Sequence, residues 1–457
     1  MLSTPPPAAL RARPLPRLVP AAAAASVAAL LLAGIGEVGA PVALAQQLAS
    51  GTVDTWGANS YGQLGNGAVT DSSVPVAVSS ANGFNNTGVT AVAPGSAHSL
   101  AIQNGTVYAW GLNGSGQLGN NSTTQSSVPV AVSAANGFTN TGVTAVAGGG
   151  AHSLALQNGT VYAWGYNNFG GLGNNSTTQS SVPVAVNSAN GFTNSGVTSV
   201  AAGNLYSLAI QNGSVYAWGY NTFGQLGNNS TTDSHVPVAV SSANGFTNTG
   251  VTAVAAGSAH NLALQNGVVY AWGFDTQGEL GNGTNPTDSP VPVAVNNANG
   301  FTNTGVTAVA AGYAHSLALQ NGVVYAWGDN SKRQLGTASL AVSFVPIRLT
   351  LSGITAIAAT SYSSYALAGD GSLWVWGDNS RGELGDGTTT DQSTPEHLLP
   401  PSGYLYTALD GNADGNHVEA ILSPAAVPEP STWALLSAGA LTLLGLGRAR
   451  RRRKALA

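Results

Sequence analysis

The sequence predicts an all-β protein, a seven-bladed propeller whose first and last strands share one blade. Three observations predict it: a repeat period, four short apolar segments in each period, and complementary chain ends. The dipeptide Trp-Gly recurs seven times, with successive spacings of 54, 54, 54, 54, 55 and 49 residues. A fixed period of this length indicates a repeat architecture, in which each unit buries its apolar face against its neighbours. The tryptophans are Trp56, Trp110, Trp164, Trp218, Trp272, Trp327 and Trp376.

Each period contains four short segments rich in Val, Leu, Tyr and Ala. In the second copy they begin at Val89, His98, Thr106 and Val128. Their alternation of side chains is typical of strands, because successive residues of a strand point to opposite faces. Asn-Gly separates the second and third segments in five copies, and it is a strong hairpin signal because both turn residues accept a positive φ. Four strands in each of seven units predict seven radially arranged sheets.

The two chain ends look like complementary parts of one unit. The first Trp-Gly copy, residues 51–57, lacks the preceding His-Ser-Leu segment, whereas residues 405–421 supply such a segment without a following Trp-Gly. We therefore predict a blade built from both ends, which closes the ring and removes exposed sheet edges. An open β-solenoid is the alternative, although its period is usually shorter and its ends need capping units.

The combined repeat motif resembles a known family. Its parts are Gly…His-Ser-Leu-Ala-Leu, Asn-Gly-x-Val-Tyr-Ala-Trp-Gly and Asn-x-x-Gly-Gln-Leu-Gly-Asn, and together they cover about residues 48 to 422. This pattern is similar to the regulator of chromosome condensation repeat. The resemblance implies a seven-bladed propeller closed by mixed N- and C-terminal strands, which the spacing predicts independently.

Residues 1–45 have the pattern of a secretory signal peptide. Three arginines lie within residues 11–17, an Ala/Leu-rich run covers residues 21–33, and a small-x-small sequence ends at Ala45. We predict cleavage after Ala45, which leaves the propeller at residues 46–424. A membrane anchor is the alternative, although the apolar run is short and Ala-rich.

The C-terminal end has three parts. A linker at residues 425–430 precedes an uncharged stretch at 431–447, which we interpret as a transmembrane helix, and a basic tail at 448–457 that is predicted to stay cytoplasmic. The arrangement resembles the Pro-Glu-Pro (PEP-CTERM) sorting signal of Gram-negative bacteria, which implies processing by an exosortase and display on the cell surface or outside the cell. A plain single-pass anchor is the alternative. The sorting motif consists of Pro428, Glu429 and Pro430.

The charge of the predicted propeller argues against binding to nucleic acid. Nine of the 13 Lys and Arg residues lie in the terminal segments, so residues 46–424 hold four cations against sixteen acidic residues, a formal charge of −12. Affinity for nucleic acid depends on neutralising phosphates with cations. Cysteine is absent, so no disulfide or thiol chemistry is predicted.

Histidine recurs at one position of the repeat, and Tyr206 and Ser363 hold the equivalent positions in the remaining copies. We predict that each His closes a hydrogen bond within its own blade rather than binding a metal, because no second ligand recurs beside it. The Trp residues are interpreted as core packed between neighbouring sheets. The recurring histidines are His98, His152, His260, His315 and His417.

Catalytic and metal-binding patterns have little support. Glu279 and Glu383 replace a repeated Gln and look like drift, and no nucleophile, zinc or phosphate-loop motif occurs. No cofactor is predicted. A weak calcium candidate follows the seventh-blade segment, with oxygen-bearing residues at alternate positions, but Ile421 occupies the twelfth position where a Glu is expected. Its residues are Asp410, Asn412 and Asp414.

The favoured function is an exported, non-enzymatic binding or scaffold propeller. Repeated polar loops would present an Asn/Ser/Thr-rich rim to a glycan or a protein partner. The alternatives are an inhibitor-like propeller that sequesters a secreted enzyme, a glycan-active enzyme, and guanine-nucleotide exchange, the last from the family name alone. An inhibitor-like propeller would be expected to carry aromatic anchors on one rim, and the candidates are Tyr61, Phe169, Phe223 and Phe274.

Overall fold

The computed structural model describes residues 51–283 and 286–425, and these residues form seven four-stranded antiparallel sheets. No helix occurs among them, and none of them could therefore form a helical membrane span. The predicted all-β propeller with seven blades is confirmed. The predicted helix at 431–447 and the terminal segments lie outside the described residues.

Each blade has an inner strand, two middle strands and an outer strand. The inner strands are β3 Val89–Pro94, β7 Val143–Gly148, β11 Val197–Ala202, β15 Val251–Ala256, β19 Val306–Ala311, β23 Ile354–Ala359 and β27 Tyr404–Gly411. The second strands are β4 His98–Gln103, β8 His152–Gln157, β12 Tyr206–Gln211, β16 His260–Gln265, β20 His315–Gln320, β24 Ser363–Ala368 and β28 His417–Pro424. The third strands, which carry Trp-Gly, are β5 Thr106–Gly111, β9 Thr160–Gly165, β13 Ser214–Gly219, β17 Val268–Gly273, β21 Val323–Asp329, β25 Leu373–Gly377 and β1 Thr52–Gly57. The outer strands are β6 Ser126–Ala131, β10 Ser180–Ala185, β14 Ser234–Ala239, β18 Ser289–Ala294, β22 Val342–Arg348, β26 Gln392–Leu398 and β2 Ser72–Ala77.

The seventh blade is assembled from both ends of the described chain, as the sequence predicts. Its strand order is β2-β1-β28-β27, and β1 pairs with β28 from Thr52 opposite Leu422 to Gly57 opposite His417. Blades 1 to 6 follow in chain order, starting with β3 to β6. Inner strands β27 and β3 contact each other, which closes the ring.

The core lies between neighbouring sheets, because each second strand is buried on both faces. Leu100 and Ile102 pack with Trp164 of blade 2, whereas Ala101 packs with Ile421 of blade 7. The predicted alternation along this strand is therefore an alternation between two interblade contacts. This explains why all six residues of β4 are buried.

Turns and outer loops add polar contacts to this apolar packing. Asn104 and Gly105 form the hairpin of blade 1 with φ values of 52° and 76°, as the sequence predicts for Asn-Gly. Six loops also reach the outer strand of the next blade, where a backbone amide donates to a carbonyl, as from Asn121 N to Ser181 O at 2.9 Å. Six of the seven blades are thus bonded to the next at the outer edge as well as in the core.

Candidate functional site

The propeller has two different faces. The upper face carries the loop between the first and second strands of each blade, such as residues 95–97, and the loop between its third and fourth strands, such as residues 112–125. The lower face carries the Asn-Gly hairpins and the connections between blades. Neighbouring strands run in opposite directions, so the loops after the first and third strands lie at the same end of the ring. Candidate residues in or beside these loops lie at that end too.

The seven Trp residues form the core between blades, as predicted. Each indole is fully buried, and its Nε1 donates to a backbone carbonyl of the preceding blade over 2.7 to 3.0 Å. Trp110, for example, donates to the carbonyl of Gln63 at 2.8 Å. A buried indole normally needs such a partner. Trp thus contributes to each blade junction in two ways: it buries a large apolar surface, and its Nε1–H supplies a hydrogen-bond donor.

The histidines form hydrogen bonds between blades, so the prediction of a bond within each blade is wrong. His98 Nε2 of blade 1 lies 2.9 Å from Ser153 Oγ of blade 2. The reason is that the His side chain extends from the start of its strand towards the neighbouring sheet. The remaining pairs, also at 2.9 Å, are His152–Ser207, His260–Ser316, His315–Ser364 and His417–Ser99. We call these five pairs the His–Ser latches.

The direction of each latch follows from its third member. Ser153 Oγ donates to the backbone carbonyl of Gln117, which can only accept. A hydroxyl has one proton, so His98 Nε2 must donate to Ser153, and the neutral ring carries its proton on Nε2. Burial lowers the pKa of His98 to about 3 and that of His152 to about 4, which keeps both rings uncharged. Each of these rings is therefore a neutral hydrogen-bond donor that joins two blades.

Two blade junctions lack the His–Ser latch and have other hydrogen bonds in its place. Tyr206 replaces His in blade 3, and its single hydroxyl proton is shared between the carbonyls of Gly257 and His260, whose oxygens lie 3.0 and 2.9 Å from the Tyr oxygen. The latch serine of blade 4 is correspondingly replaced by Asn261, whose amide donates to the Gln225 carbonyl at 2.8 Å. At the junction of blades 6 and 7, Ser363 bonds within its own blade to the carbonyl of Asp378. The longer Tyr reaches past the position where a serine hydroxyl would lie.

The structure brings three of the four aromatic candidates together on the upper face. Their rings join with two further tyrosines in a continuous series across blades 2, 3 and 4, and all five side chains are half-buried. Neighbouring ring centroids are 6.4, 5.0, 6.1 and 5.0 Å apart. We call this series the aromatic arc, and it consists of Tyr166, Phe169, Tyr220, Phe223 and Phe274.

Two details of the sequence-based assignment change. Tyr61 shares the loop position of Phe169 and Phe223, but it lies in blade 7, outside the arc, and is 43% exposed. Phe274 directly follows Trp-Gly and so matches Tyr166 and Tyr220 rather than Phe169. The arc therefore combines two repeat positions. The residue directly after Trp-Gly and the residue three positions later alternate along it.

The three calcium-candidate residues belong to a loop that crosses the upper end of the ring. Asn412 Nδ2 donates to the carbonyl of Gly148 in blade 2 at 2.7 Å, and its Oδ1 accepts the amide of Asp414. Asp414 Oδ1 accepts from Asn204 of blade 3 at 3.3 Å, and burial raises the pKa of Asp414 to about 6. Asp410 Oδ1 accepts the amide of Gly411. Each of the three residues thus makes at least one hydrogen bond within the protein. We call residues 411–416, which cross the ring, the plug.

Beneath this plug lies a central cavity of about 300 Å³. The inner strands line it with small side chains, mostly Ala, together with the plug residues Gly411, Asn412 and Ala413. Its volume falls at the lower end of the range for small-molecule sites. Side chains this small and mostly apolar offer few directional contacts to a ligand.

Glu279 and Glu383 are buried at the repeat position of Gln63 and Gln117. Their Oε2 atoms accept the backbone amides of Gln277 and Arg381 at 2.8 Å, as the Gln side-chain oxygens do in other blades. Burial raises the pKa of Glu279 to about 8 and that of Glu383 to about 7. The carboxyls thus replace an amide in a structural bond.

Comparison with known proteins agrees with this geometry. The sequence profile of the RCC1-like domain matches residues 193–445, which is more than half of the chain. The chain belongs to the RCC1-like domain family. A profile of the regulator of chromosome condensation (RCC1) repeat matches residues 50–102, 104–156 and 158–210, and a second RCC1 repeat profile matches residues 143–170.

Two relatives share about a third of their matched residues with this RCC1-like chain. The ultraviolet-B receptor UVR8 of Arabidopsis thaliana is 31% identical over 289 residues, which is 62% of either chain. The E3 ubiquitin-protein ligase HERC2 of Homo sapiens is 34% identical over 275 residues, which is 59% of this chain and 5% of that protein. The chain therefore spans less than two-thirds of the length of these relatives.

Solved structures share the fold of this RCC1-like domain. Human WBSCR16 superimposes with a TM-score of 0.71 at 24% identity, covering 83% of this chain and 100% of that chain. Yeast RCC1 (Prp20), solved with Kap60 bound, superimposes with a TM-score of 0.72 at 20% identity, covering 90% and 97%. A second Prp20 structure concerns binding to Gsp1p and histones. At this identity the likeness concerns the fold.

Sequence reasoning missed the serine half of each latch and two rings of the arc. Serine directly follows His in three of the five latched copies, and Asn261 appears only in the blade after Tyr206. This joint change between neighbouring copies was a readable signal of contact. Tyr166 and Tyr220 follow Trp-Gly in consecutive copies, which was a second one. The sorting residues Ala45, Pro428, Glu429 and Pro430 lie outside the described residues.

Proposed function

We propose that this RCC1-like domain is an exported, non-enzymatic binding or scaffold propeller whose upper face holds a protein partner. The observation that supports it best is the aromatic arc, because aromatic side chains supply most of the binding energy in many protein interfaces. A ring of blades held by apolar cores and latches presents such residues with little loss of conformational freedom on binding.

The proposal of a non-enzymatic role draws on how the polar groups are used. Glu279 and Glu383 accept backbone amides in the manner of the repeated Gln, and the His rings hold blades together. A general acid or base must instead reach a substrate proton within hydrogen-bonding distance. A glycan-active enzyme is the alternative. Hydrolysis of a labelled oligosaccharide panel by the purified protein, lost in Glu279→Gln, would favour that alternative.

The proposal of export draws on the sequence of the terminal segments. Cleavage after Ala45 would release the propeller from its signal peptide. Processing near Pro428–Pro430 by an exosortase would separate it from the helix at 431–447 and the basic tail, placing it on the cell surface or outside the cell. Mass spectrometry of the mature termini from the native host tests both steps. A mature chain that retains residues 1–45 would contradict export.

Two further ligands remain as outcomes of the binding test. The loops of blades 1 to 3 present near-identical Asn, Ser and Thr side chains, including exposed Asn121 and Thr123, and such a surface suits a glycan. Guanine-nucleotide exchange rests on family membership alone, and export would separate the chain from a cytosolic GTPase. Exchange of labelled GDP on a small GTPase would be unaffected by the full-length protein if the proposal is right.

Site-directed photo-crosslinking tests the protein-binding proposal. A photo-reactive amino acid replaces the exposed Asn168 beside Phe169, and in a matched control it replaces the exposed Thr139 on the lower face. Both full-length variants are expressed in the native host and irradiated on intact cells. We expect protein adducts at position 168 and a background level at position 139. Equal adducts at both positions, or none at 168, would overturn the proposal.

A further inference from the structure

The aromatic arc is a rigid surface. The contact of Tyr166 with Phe169 is tilted at 49°, and the other three contacts are edge to face, with interplanar angles of 68°, 77° and 70° along the series. This arrangement places the positive edge of one ring against the negative face of the next and is favourable. Each half-buried ring keeps part of its surface towards solvent. The arc therefore offers a row of aromatic surface across three blades.

The loops beneath the arc are held by buried polar contacts. Asn221 Nδ2 donates to Asn228 Oδ1 and to the carbonyls of Ser230 and Thr232, and its Oδ1 accepts the amide of Leu226. Phe223 itself is held where its amide donates to Gln225 Oε1 at 2.9 Å. A partner thus meets rings that are already ordered, which lowers the entropic cost of docking.

The charge around the arc is negative. No Lys or Arg occurs between residues 46 and 331, so none lies in blades 1 to 4. Asp233 and Asp288 lie in the loops of the arc, where their Oδ1 atoms accept the amides of Asn221 and Asp275 at 2.8 and 3.0 Å. Asp288 is exposed and Asp233 is half-buried. Gln125 and Gln179 hold this position in blades 1 and 2, whereas Asp71 and Asp391 hold it in blades 7 and 6 and accept the equivalent backbone amides.

The three cations of the upper face, Lys332, Arg333 and Arg381, lie in the loops of blades 5 and 6. Lys332 pairs with Asp378 at 3.4 Å across blades 5 and 6, and Arg381 pairs with Asp71 at 3.2 Å across blades 6 and 7. Neither pair reaches blades 2 to 4. The arc and its two carboxylates are therefore an aromatic surface beside acidic side chains, and blades 1 to 4 contain no Lys or Arg to balance them.

We propose that the aromatic arc, with Asp233 and Asp288, docks a basic segment of a partner protein. This inference rests on the proposed protein-binding function and names the chemistry of its partner. The negative face of an aromatic ring attracts a guanidinium or ammonium group, and a nearby carboxylate strengthens that attraction. A neutral glycan would use the rings but not the carboxylates, and an anionic ligand would be repelled by them.

The blades themselves provide variants that should fold. Leu112 and Ser115 occupy in blade 1 the positions of Tyr220 and Phe223, so the double variant Y220L/F223S copies a natural blade. Likewise D233Q copies Gln125. As a matched control, Tyr61→Ser makes the same kind of change at the equivalent loop position of blade 7, outside the arc.

Fluorescence anisotropy with the full-length protein tests the inference. The probe is a labelled arginine–glycine–serine repeat peptide, compared with the same peptide carrying neutral citrulline in place of arginine. We expect the arginine peptide to bind, the Y220L/F223S variant to bind it about tenfold more weakly, and the Tyr61→Ser control to match the original chain. D233Q should weaken binding about threefold and reduce its dependence on salt.

Several results would overturn the inference. One is equal binding of the arginine and citrulline peptides, and another is unchanged binding in Y220L/F223S, which would indicate general attraction to an acidic protein. Binding of a neutral oligosaccharide in competition with the peptide would assign the arc to a glycan. If crosslinks at position 168 persist while the arginine peptide fails to bind, the protein-binding function stands and the basic partner is rejected.

Discussion

His98 in blade 1 donates to Ser153 in blade 2 over 2.9 Å, and the same bond recurs at five of the seven blade junctions. The serine in turn donates to the carbonyl that also accepts the Trp indole, as Gln117 does from Ser153 and Trp164. One carbonyl of each such blade thus receives two donors from the next. The latch serine and the tryptophan donate to the same oxygen atom. Each such repeat unit therefore contains the residues that bond it to its neighbour.

Ser153→Ala should destabilise the propeller by about 1–3 kcal/mol, because it leaves the buried His98 Nε2 without an acceptor and takes one donor from the Gln117 carbonyl. Denaturant unfolding of the full-length protein, followed by Trp fluorescence, measures the change. Ser60→Ala on the exposed upper loop is the control and should leave the midpoint unchanged. Equal midpoints for both variants would contradict the role of the latch.

Tyr206 and Asn261 should behave as a coupled pair. Tyr206→His or Asn261→Ser alone mixes two kinds of junction, whereas the double variant recreates a His–Ser latch between blades 3 and 4. We expect each single change to destabilise the protein and the double change to recover about 1–2 kcal/mol of the loss. A double-mutant cycle measures this coupling. Simple additivity would show that the two replacements are independent.

Glu279→Gln should stabilise the protein at neutral and alkaline pH. Burial raises the pKa of Glu279 from 4.5 to about 8, so the folded state binds a proton that the unfolded state releases. The stabilisation from this proton is complete below pH 4.5 and is lost as the pH rises to about 8. The variant should exceed the original by about 2 kcal/mol at pH 8 and match it below pH 4.5.

Glu383→Gln provides an internal comparison, since the pKa of Glu383 rises only to about 7. Its stabilising effect should be smaller than that of Glu279→Gln and should level off one pH unit earlier. Thermal unfolding from pH 4 to 9 measures both curves. A stabilisation that is constant over this range would refute the assignment of buried, protonated carboxyls.

His98→Gln should weaken the loss of stability in acid. Burial lowers the pKa of His98 from 6.5 to about 3. Between these pH values His98 is protonated in the unfolded state and neutral in the folded state. The contribution of His98 is complete above pH 6.5 and falls as the pH decreases towards 3. Gln keeps a donor for Ser153 but does not titrate. Stability of the variant should therefore fall less steeply between pH 6.5 and 4, and equal slopes would count against a neutral His98.

The blade count and the closing strands were predictable from particular residues. Seven Trp-Gly dipeptides counted the blades, Asn-Gly marked the hairpins, and the segment from Leu405 to Ile421 completed the blade that Gly51 begins. These features are local in sequence and repeat, so each copy confirms the next. The residues that close each turn also require φ values that few residues besides Asn and Gly adopt.

The candidate site was only partly predictable. Phe169 and Phe223 were recognised, yet their contact with Tyr220 depends on the spacing between blades, which the sequence does not specify. The blade to which each His bonds was predicted wrongly for the same reason. A side chain at a blade surface can bond within its own sheet or to the next sheet. The same sequence is compatible with both arrangements.

By itself the sequence determined that this chain is a closed ring of seven similar sheets, because strand periodicity, turn residues and repeat length are encoded within each unit. The tertiary structure alone decided that His98 serves Ser153, that five rings from three blades form one arc, and that Asp414 reaches Asn204 across the ring. These contacts join residues of different blades, and their partners are chosen by the angle and distance between sheets, which are properties of the whole ring.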